Sequence, residues 1–170
     1  MVSDETFRVW VGCLACYNEG RSVGEWFDAD DAPTEMDDFL THVKHRASFP
    51  PHEELWCFET ENSPVSGEMS PMDARYYAEM LEDLTIPAGA LAAWIDNQNG
   101  DIDEAVEQAT EAYIGDMEES IWFYYADAFD ESELPEWAQP YYNMFIDKIV
   151  KEARIAGEWY EHKGYYFRGI

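Results

Sequence analysis

The side chains best placed for chemistry near the start of the chain are two thiols. Cys13-Leu14-Ala15-Cys16 has the spacing of a redox pair or of half a zinc site. Tetrahedral zinc needs two more ligands, for which Cys57 with His42, His45 or His52 can be nominated. Against this stand the lack of a second Cys-x-x-Cys, the position of His42 and His45 beside the apolar stripe of a helix, and no cation in the motif to lower a thiol pKa. The expected role is packing: small apolar side chains at a strand end, with no metal and no cofactor. Three cysteines are too few, and odd in number, for a disulfide framework, which fits a reducing compartment.

The run Asp96-Asn97-Gln98-Asn99-Gly100-Asp101-Ile102-Asp103 has the look of a calcium loop. With Gly100 at the invariant sixth position, however, Ile95 falls at the first ligand position and Val106 where the bidentate glutamate belongs. A turn followed by a helix cap accounts for the same residues. Glycosidase chemistry needs two carboxylates about 5 to 10 Å apart with pKa values driven apart. Trp26-Phe27-Asp28 suits sugar stacking, yet with 37 acids some carboxylate must lie beside an aromatic. No Gly-x-Ser-x-Gly, His-Glu-x-x-His, Gly-x-Gly-x-x-Gly or P-loop pattern occurs.

What remains is the charge. The 170 residues hold 37 acids and 10 bases, a net charge of −27. Residues 1–60, 61–105 and 106–170 each carry −9, so the acidity is no local tail. From Ala47 to Asp147, 24 carboxylates face a single base, Arg75; most must meet water or a cationic partner. Such a field repels phosphate backbones and anionic lipid, which excludes direct binding to nucleic acid or to a membrane surface. The first residues have neither a positive leader nor an apolar core segment, and Ile86–Ile95 is too short to span a bilayer, so a soluble cytoplasmic protein is expected. Eight acids lie between Asp101 and Glu119. Were that stretch one helix, it would be about 28 Å long with a carboxylate every 3.6 Å or so, close to the roughly 3.4 Å between phosphates of one DNA strand. Gly115 is the expected break in it. Crowding like charges costs stability, a cost that a cationic partner would offset. The plain alternative is a solvated acidic surface, as in salt adaptation.

With 46% apolar residues and 27 aromatics, the chain can build cores. Phe7–Val11, Ser22–Phe27 and Glu54–Glu59 read as strands, and Met36, Phe39, Leu40, Val43 and Ala47 form a helical stripe capped by Thr34. After the linker-like residues Asn62–Gly67, Ser70-Pro71 opens a helix with Tyr76, Tyr77, Met80, Leu81 and Leu84 inward. A second helix runs from about Pro87 to Asp96, closed by Asn99-Gly100, and Asp101 with Glu104 starts a third. Glu118–Phe129 is helical but apolar on more than one face, Pro140–Arg154 is another helix with Phe145, Ile149 and Val150 inward, and strands over Ile155–Glu161 and Tyr165–Arg168 flank a His162-Lys163-Gly164 turn. The expected class is α+β: an N-terminal three-stranded sheet plus helix (1–60), a helical middle (61–105), and helices with a C-terminal β-hairpin (106–170).

Val9-Trp10-Val11-Gly12, Tyr17-Asn18-Glu19-Gly20 and Gly24-Glu25-Trp26-Phe27-Asp28 resemble the N-terminal signature of the ArdA antirestriction proteins. Glu111-Ala112-Tyr113-Ile114-Gly115, then Glu118–Ser132 at the place of the antirestriction motif, and Gly164-Tyr165-Tyr166-Phe167-Arg168 continue the resemblance in order. It implies an elongated three-subdomain homodimer, without enzymatic activity, that mimics DNA. Such a mimic occupies the DNA-binding groove in the methyltransferase core of type I restriction-modification enzymes, letting mobile DNA escape cleavage. Pairing would use Tyr113, Ile121, Trp122, Tyr125, Ala126 and Phe129. Tyr125-Ala126-Asp127 is similar to the family's Tyr-Ala-Glu, although Ala128 and Phe129 follow where acidic or small polar residues are usual. The two N-terminal cysteines are not in the family pattern. The expected mimic surface is drawn from the stretches poorest in bases: Asp73, Glu79, Glu82, Asp83 and Asp96, then Asp101, Asp103, Glu104, Glu107, Glu111, Asp116, Glu118 and Glu119, then Asp127, Asp130, Glu131, Glu133 and Glu136. The other function classes are a carboxylate-dependent hydrolase and an acidic decoy or chaperone for another basic DNA-binding protein.

Overall fold

A computed structural model describes residues 6–46, 51–98 and 100–169. The described residues form a mixed α+β fold with two three-stranded antiparallel sheets, and the chain divides into two compact units, Met1–Leu84 and Thr85–Ile170. The expected middle segment 61–105 is therefore shared between the two.

In the first unit, β1 (Arg8–Cys13) lies between β2 (Gly24–Asp28) and β3 (Leu55–Glu61). Alternation fixes its faces: Val9, Val11 and Cys13 are buried, while Arg8 and Trp10 point the other way. A short helix α1 (Leu14–Asn18) follows β1 directly, where the sequence reads only as a polar turn. Five residues are too few for a helical period, and Gly20, at φ 80°, supplies the left-handed turn after it. Helix α2 is Met36–His42, shorter than the stripe to Ala47. Glu35 rather than Thr34 is its N-cap residue, and Val43 leaves in extended backbone; Ala47 lies outside the described residues. Phe39 is the anchor of α2 in a core built from Phe7, Val9, Val11, Leu55 and Cys57.

Helix α3 (Pro71–Glu82) begins as expected, with the Ser70 hydroxyl accepting from the Asp73 N–H at 3.1 Å and Pro71 in the first turn. Its inward face differs. Pro71 and Ala74 are buried and Tyr77, Ala78 and Leu81 pack on the same core, whereas Tyr76 is largely exposed. Of the two tyrosines expected inward, Tyr77 is and Tyr76 is not, and the small Ala74 is the fully buried residue of this face.

The second unit holds α4 (Ala88–Gln98), α5 (Ile102–Ala112), β4 (Tyr113–Gly115), α6 (Glu118–Asp127), α7 (Tyr142–Ile155), β5 (Trp159–His162) and β6 (Tyr165–Arg168). Its sheet order is β4-β6-β5. Trp94 of α4 sits edge-on to Phe167 of β6 at 5.3 Å, with Tyr160 stacked on Phe167 at 5.6 Å. Gly89 lies so close to the Tyr165 hydroxyl that a side chain there would displace the tyrosine ring. A second cluster joins Ile121 of α6, Ala153 of α7 and Trp159 of β5. The hairpin turn has positive φ at Lys163 (51°) and Gly164 (83°), the two-residue pattern that matches strand twist. The segment before Trp159, expected to be strand, ends α7 and then turns at Gly157 (φ 76°). In α7 the buried residues are Ile146 and Ala153, and Phe145 is 43% exposed.

Gly24 faces Gly12 across β1 and β2, and the Trp10 ring covers the pair. A Cβ on Gly24 would meet the Val11 carbonyl oxygen and lie 2.8 Å from the Trp10 ring. Gly24→Ala should destabilise the first unit by about 1–3 kcal/mol, read as a lower denaturation midpoint.

Candidate functional site

Helix α5 is built to hold carboxylates outward. The Asp101 side chain accepts from the Asp103 N–H at 2.9 Å, and Asp103 and Glu104 in the first turn complement the helix dipole. Ala105, Ala109 and Ala112 form a buried stripe. At 100° per residue Asp103, Glu104, Glu107 and Glu111 fall on the opposite arc, and all four are exposed. Asp103 to Glu111 spans about 12 Å of axis.

As expected from Gly115, the stretch from Asp101 to Glu119 is not one helix. Tyr113 leaves the helix in extended backbone, two residues before the expected break, because β4 pairs with β6 through Tyr113↔Phe167 and Gly115↔Tyr166. A new helix, α6, then starts with Glu118 and Glu119 in its first turn. The acids thus stand on two helices joined by a strand.

Each of the eighteen acids nominated from sequence is exposed: Asp73, Glu79, Glu82 and Asp83 on or at the end of α3, Asp96 on α4, the Asp101–Glu119 set, and Asp127, Asp130, Glu131, Glu133 and Glu136 around the end of α6. They are not electrostatically equal. Asp96 meets His162 Nε2 and Lys163 Nζ, both at 3.0 Å, and Glu111 meets an Arg168 guanidinium nitrogen at 2.9 Å. The hairpin and strand β6 thereby partly neutralise two of the nominated groups. Asp130 accepts from the Ser132 N–H at 2.8 Å and hydroxyl at 2.7 Å, which holds its carboxyl low. Glu82 and Asp83 end α3 with no base in the last turn, against the helix dipole. A further group escaped the sequence reading: Asp30, Asp31, Glu35, Asp37 and Asp38 are all exposed. Its signal is present, since no base occurs between Arg21 and Lys44.

The residues nominated for pairing are distributed unevenly. Ile121 is 1% exposed inside its own chain's core. Tyr113 packs on Phe167, and Trp122 donates to Asp147 at 2.9 Å. The Tyr125 hydroxyl faces Glu158 at 3.4 Å; burial first, then that carboxylate, pushes the phenol up to about 12. The Ala126 carbonyl accepts from Tyr142, and Phe129 stands edge-on to Phe145. Phe123 (65% exposed) and Tyr124, not nominated, form the outward part of α6.

The cysteines and histidines give a different picture from the one expected. Cys13, Cys16, His45 and His52 place one ligand atom each within 4.8 Å of all the others. Cys57 sits on β3 opposite Val11, and the ring of His42 is against Phe27. Burial, with Cys13 next, pushes the Cys16 thiol up to about 11, and burial pushes Cys57 up to about 12.

A glycosidic general acid needs a raised carboxyl. The carboxyls displaced from their ordinary values, Glu19, Asp96 and Asp130, are all lowered: Glu19 by Arg21, Asp96 by His162 and Lys163, Asp130 by Ser132. No charged or polar residue is buried among the described residues.

These features define an acidic α+β protein whose ionised side chains are kept at its surface. The family model of the antirestriction protein ArdA matches residues 9–167, and the chain belongs to that family of inhibitor proteins. No curated protein matches it. Among the described residues no helix is long and apolar enough to cross a membrane.

Asp96 links α4 to the hairpin, and its lowered carboxyl gives a pH signature. A group titrating lower in the folded than in the unfolded chain stabilises above the ordinary carboxylate range and loses that contribution as pH falls through its folded value. Asp96→Asn should therefore flatten the loss of stability on acidification below about pH 4, measured by denaturant titration against the parent.

Proposed function

We propose that this antirestriction protein acts as a DNA mimic: as a homodimer it enters the DNA groove in the methyltransferase core of type I restriction-modification enzymes and excludes DNA from it. The observation that carries this reading is that all eighteen nominated carboxylates are exposed, in a chain where bases are scarce. Thr85–Ile170 holds 18 acids and five bases, so the surface can offer anionic oxygens to the Lys and Arg side chains that hold a duplex.

The magnitudes are of the right order. Two chains carry −54. That equals the charge on about 27 base pairs, and with half of it facing the groove the mimicry covers roughly a dozen. Long-range attraction raises the association rate and orients the encounter. Asp101, Asp103, Glu104, Glu107, Asp116, Glu118 and Glu119 are the leading surrogates. Asp96 and Glu111 contribute less, since bases of the same chain already meet them.

Competition between the protein and DNA for a purified type I methyltransferase tests the mechanism. Inhibition should weaken steeply as salt rises; affinity indifferent to salt would contradict an ionic groove filler. Glu107→Gln alone should cost less than about fivefold, whereas joint reversal of Asp103, Glu104 and Glu107 to Lys should cost on the order of a hundredfold.

Pairing would centre on the exposed Phe123 and Tyr124 of α6, whose rings touch Trp122 and Tyr125, with Tyr113, Ala126 and Phe129 nearby in sequence. Ile121 supports that face from within. Phe123→Asp should shift the sedimenting species from dimer to monomer, while Tyr76→Asp on α3 leaves it unchanged; a protein monomeric before substitution would end the assignment.

A further inference from the structure

The four residues that converge beside α1 come from three parts of the first unit. Cys13 ends β1 and precedes α1, Cys16 lies in α1, His45 follows the extended exit of α2, and His52 stands ahead of β3. The Cys16 sulfur is 3.1 Å from His45 Nε2 and 3.3 Å from His52 Nδ1. The Cys13 sulfur is 3.3 Å from His52 Nδ1, and the two imidazole nitrogens are 3.3 Å apart. Both cysteines are buried, and the His52 side chain is 8% exposed.

Pairwise hydrogen bonding does not explain this geometry. His52 Nδ1 has three neighbours at 3.3 Å, two sulfurs and a ring nitrogen, yet a neutral imidazole nitrogen offers one hydrogen or one lone pair. The other nitrogen decides which. His52 Nε2 lies 3.4 Å from the Glu19 carboxylate, which an N–H satisfies, so the Nδ1 lone pair is turned to the sulfurs. A carboxylate behind a histidine whose free nitrogen points into a sulfur and nitrogen cluster is the usual outer support of a metal ligand. The Cys16 N–H donates to the Cys13 sulfur at 3.3 Å, which fixes that sulfur at the start of α1.

We propose that Cys13, Cys16, His45 and His52 bind one zinc ion per chain. Tetrahedral zinc, with bonds of about 2.3 Å to sulfur and 2.0–2.1 Å to nitrogen, sets its ligand atoms roughly 3.3–3.8 Å apart. Four of the six separations here are 3.1–3.3 Å and all six lie within 4.8 Å, so a small adjustment of the side chains accommodates the ion. Two thiolates and two neutral imidazoles are a soft, borderline set that excludes magnesium and calcium. Four protein ligands leave no open coordination position, so the site is structural. Binding releases the thiol protons, and the zinc with two thiolates is electrically neutral, which leaves the acidic surface as it is. The ion ties the exit of α2 and the entry to β3 to the β1–α1 corner, linking Cys13 to a residue 39 positions away.

Reduced full-length protein, produced with zinc present, should contain one equivalent of zinc by elemental analysis. Zinc-free protein titrated with Co2+ should develop the absorption of tetrahedral cobalt together with a thiolate-to-cobalt charge-transfer band, both abolished by added Zn2+. Chelation should lower the melting temperature of the parent, and zinc should restore it. Cys16→Ser with His52→Gln should remove the cobalt bands and the chelator effect, whereas Cys57→Ala should retain both. Glu19→Gln should keep the stoichiometry but weaken zinc affinity roughly tenfold or more. Reduced parent protein that takes up no zinc, an octahedral cobalt spectrum, or unchanged bands in the Cys16, His52 double variant would each overturn the assignment. The parent cobalt spectrum decides the matter even if a variant fails to fold.

Discussion

A net charge of −27 on 170 residues means that every contact in this fold forms against electrostatic self-repulsion. The acids lie outside, and the interior is left to apolar side chains: the core residues are aliphatic, aromatic or sulfur-bearing, and no charged side chain of an acid, lysine or arginine is buried among the described residues. Several acids help the fold at helix starts. Asp101 and Asp130 cap backbone N–H groups, and Glu118 and Glu119 sit at the positive end of α6. Where they do not, as with Glu82 and Asp83 at the end of α3, the local energetics of the chain give no reason for them.

The scarce bases are placed with some economy. Arg8 bridges Asp28 and Glu61 at 3.6 and 3.5 Å, joining the two outer strands of the first sheet across β1. Lys163 and Arg168 hold Asp96 and Glu111 to the C-terminal hairpin. Exposed pairs of this kind contribute about a kcal/mol or less each, so the fold rests on its apolar clusters and the bases chiefly moderate local repulsion.

Local signals carried most of the architecture. The Ser70-Pro71 helix start, the Lys163-Gly164 turn and the alternation of Val9, Val11 and Cys13 each depend on a few adjacent residues, and each is legible in sequence. The short α1 and β4 were not, because five or three residues carry no period and their existence depends on partners elsewhere in the chain. On the inward face of α3, Tyr77 and Leu81 pack as expected, but Tyr76 does not: side-chain volume is a poor guide to contact, and the small Ala74 is the buried residue there. The exposed acids of the candidate surface followed from composition alone, but which of them are met by bases did not. The convergence of Cys13 and Cys16 with His45 and His52 was least legible. Cys-x-x-Cys is visible in sequence, whereas its two histidine neighbours are chosen by the exit of α2 and the register of β3.

The alanine stripe of α5 reaches past its place in the core. Since Ala105, Ala109 and Ala112, flanked by the half-buried Ile102 and Val106, fasten that helix, the outer arc is free of apolar packing; apart from Glu111, which Arg168 meets, folding constrains the choice of Asp or Glu there only weakly. The two differ by one methylene, so exchanging them moves an anionic tip by about an ångström while the backbone stays put. The pattern of negative tips can thus be retuned, position by position, by substitutions to which the interior is indifferent.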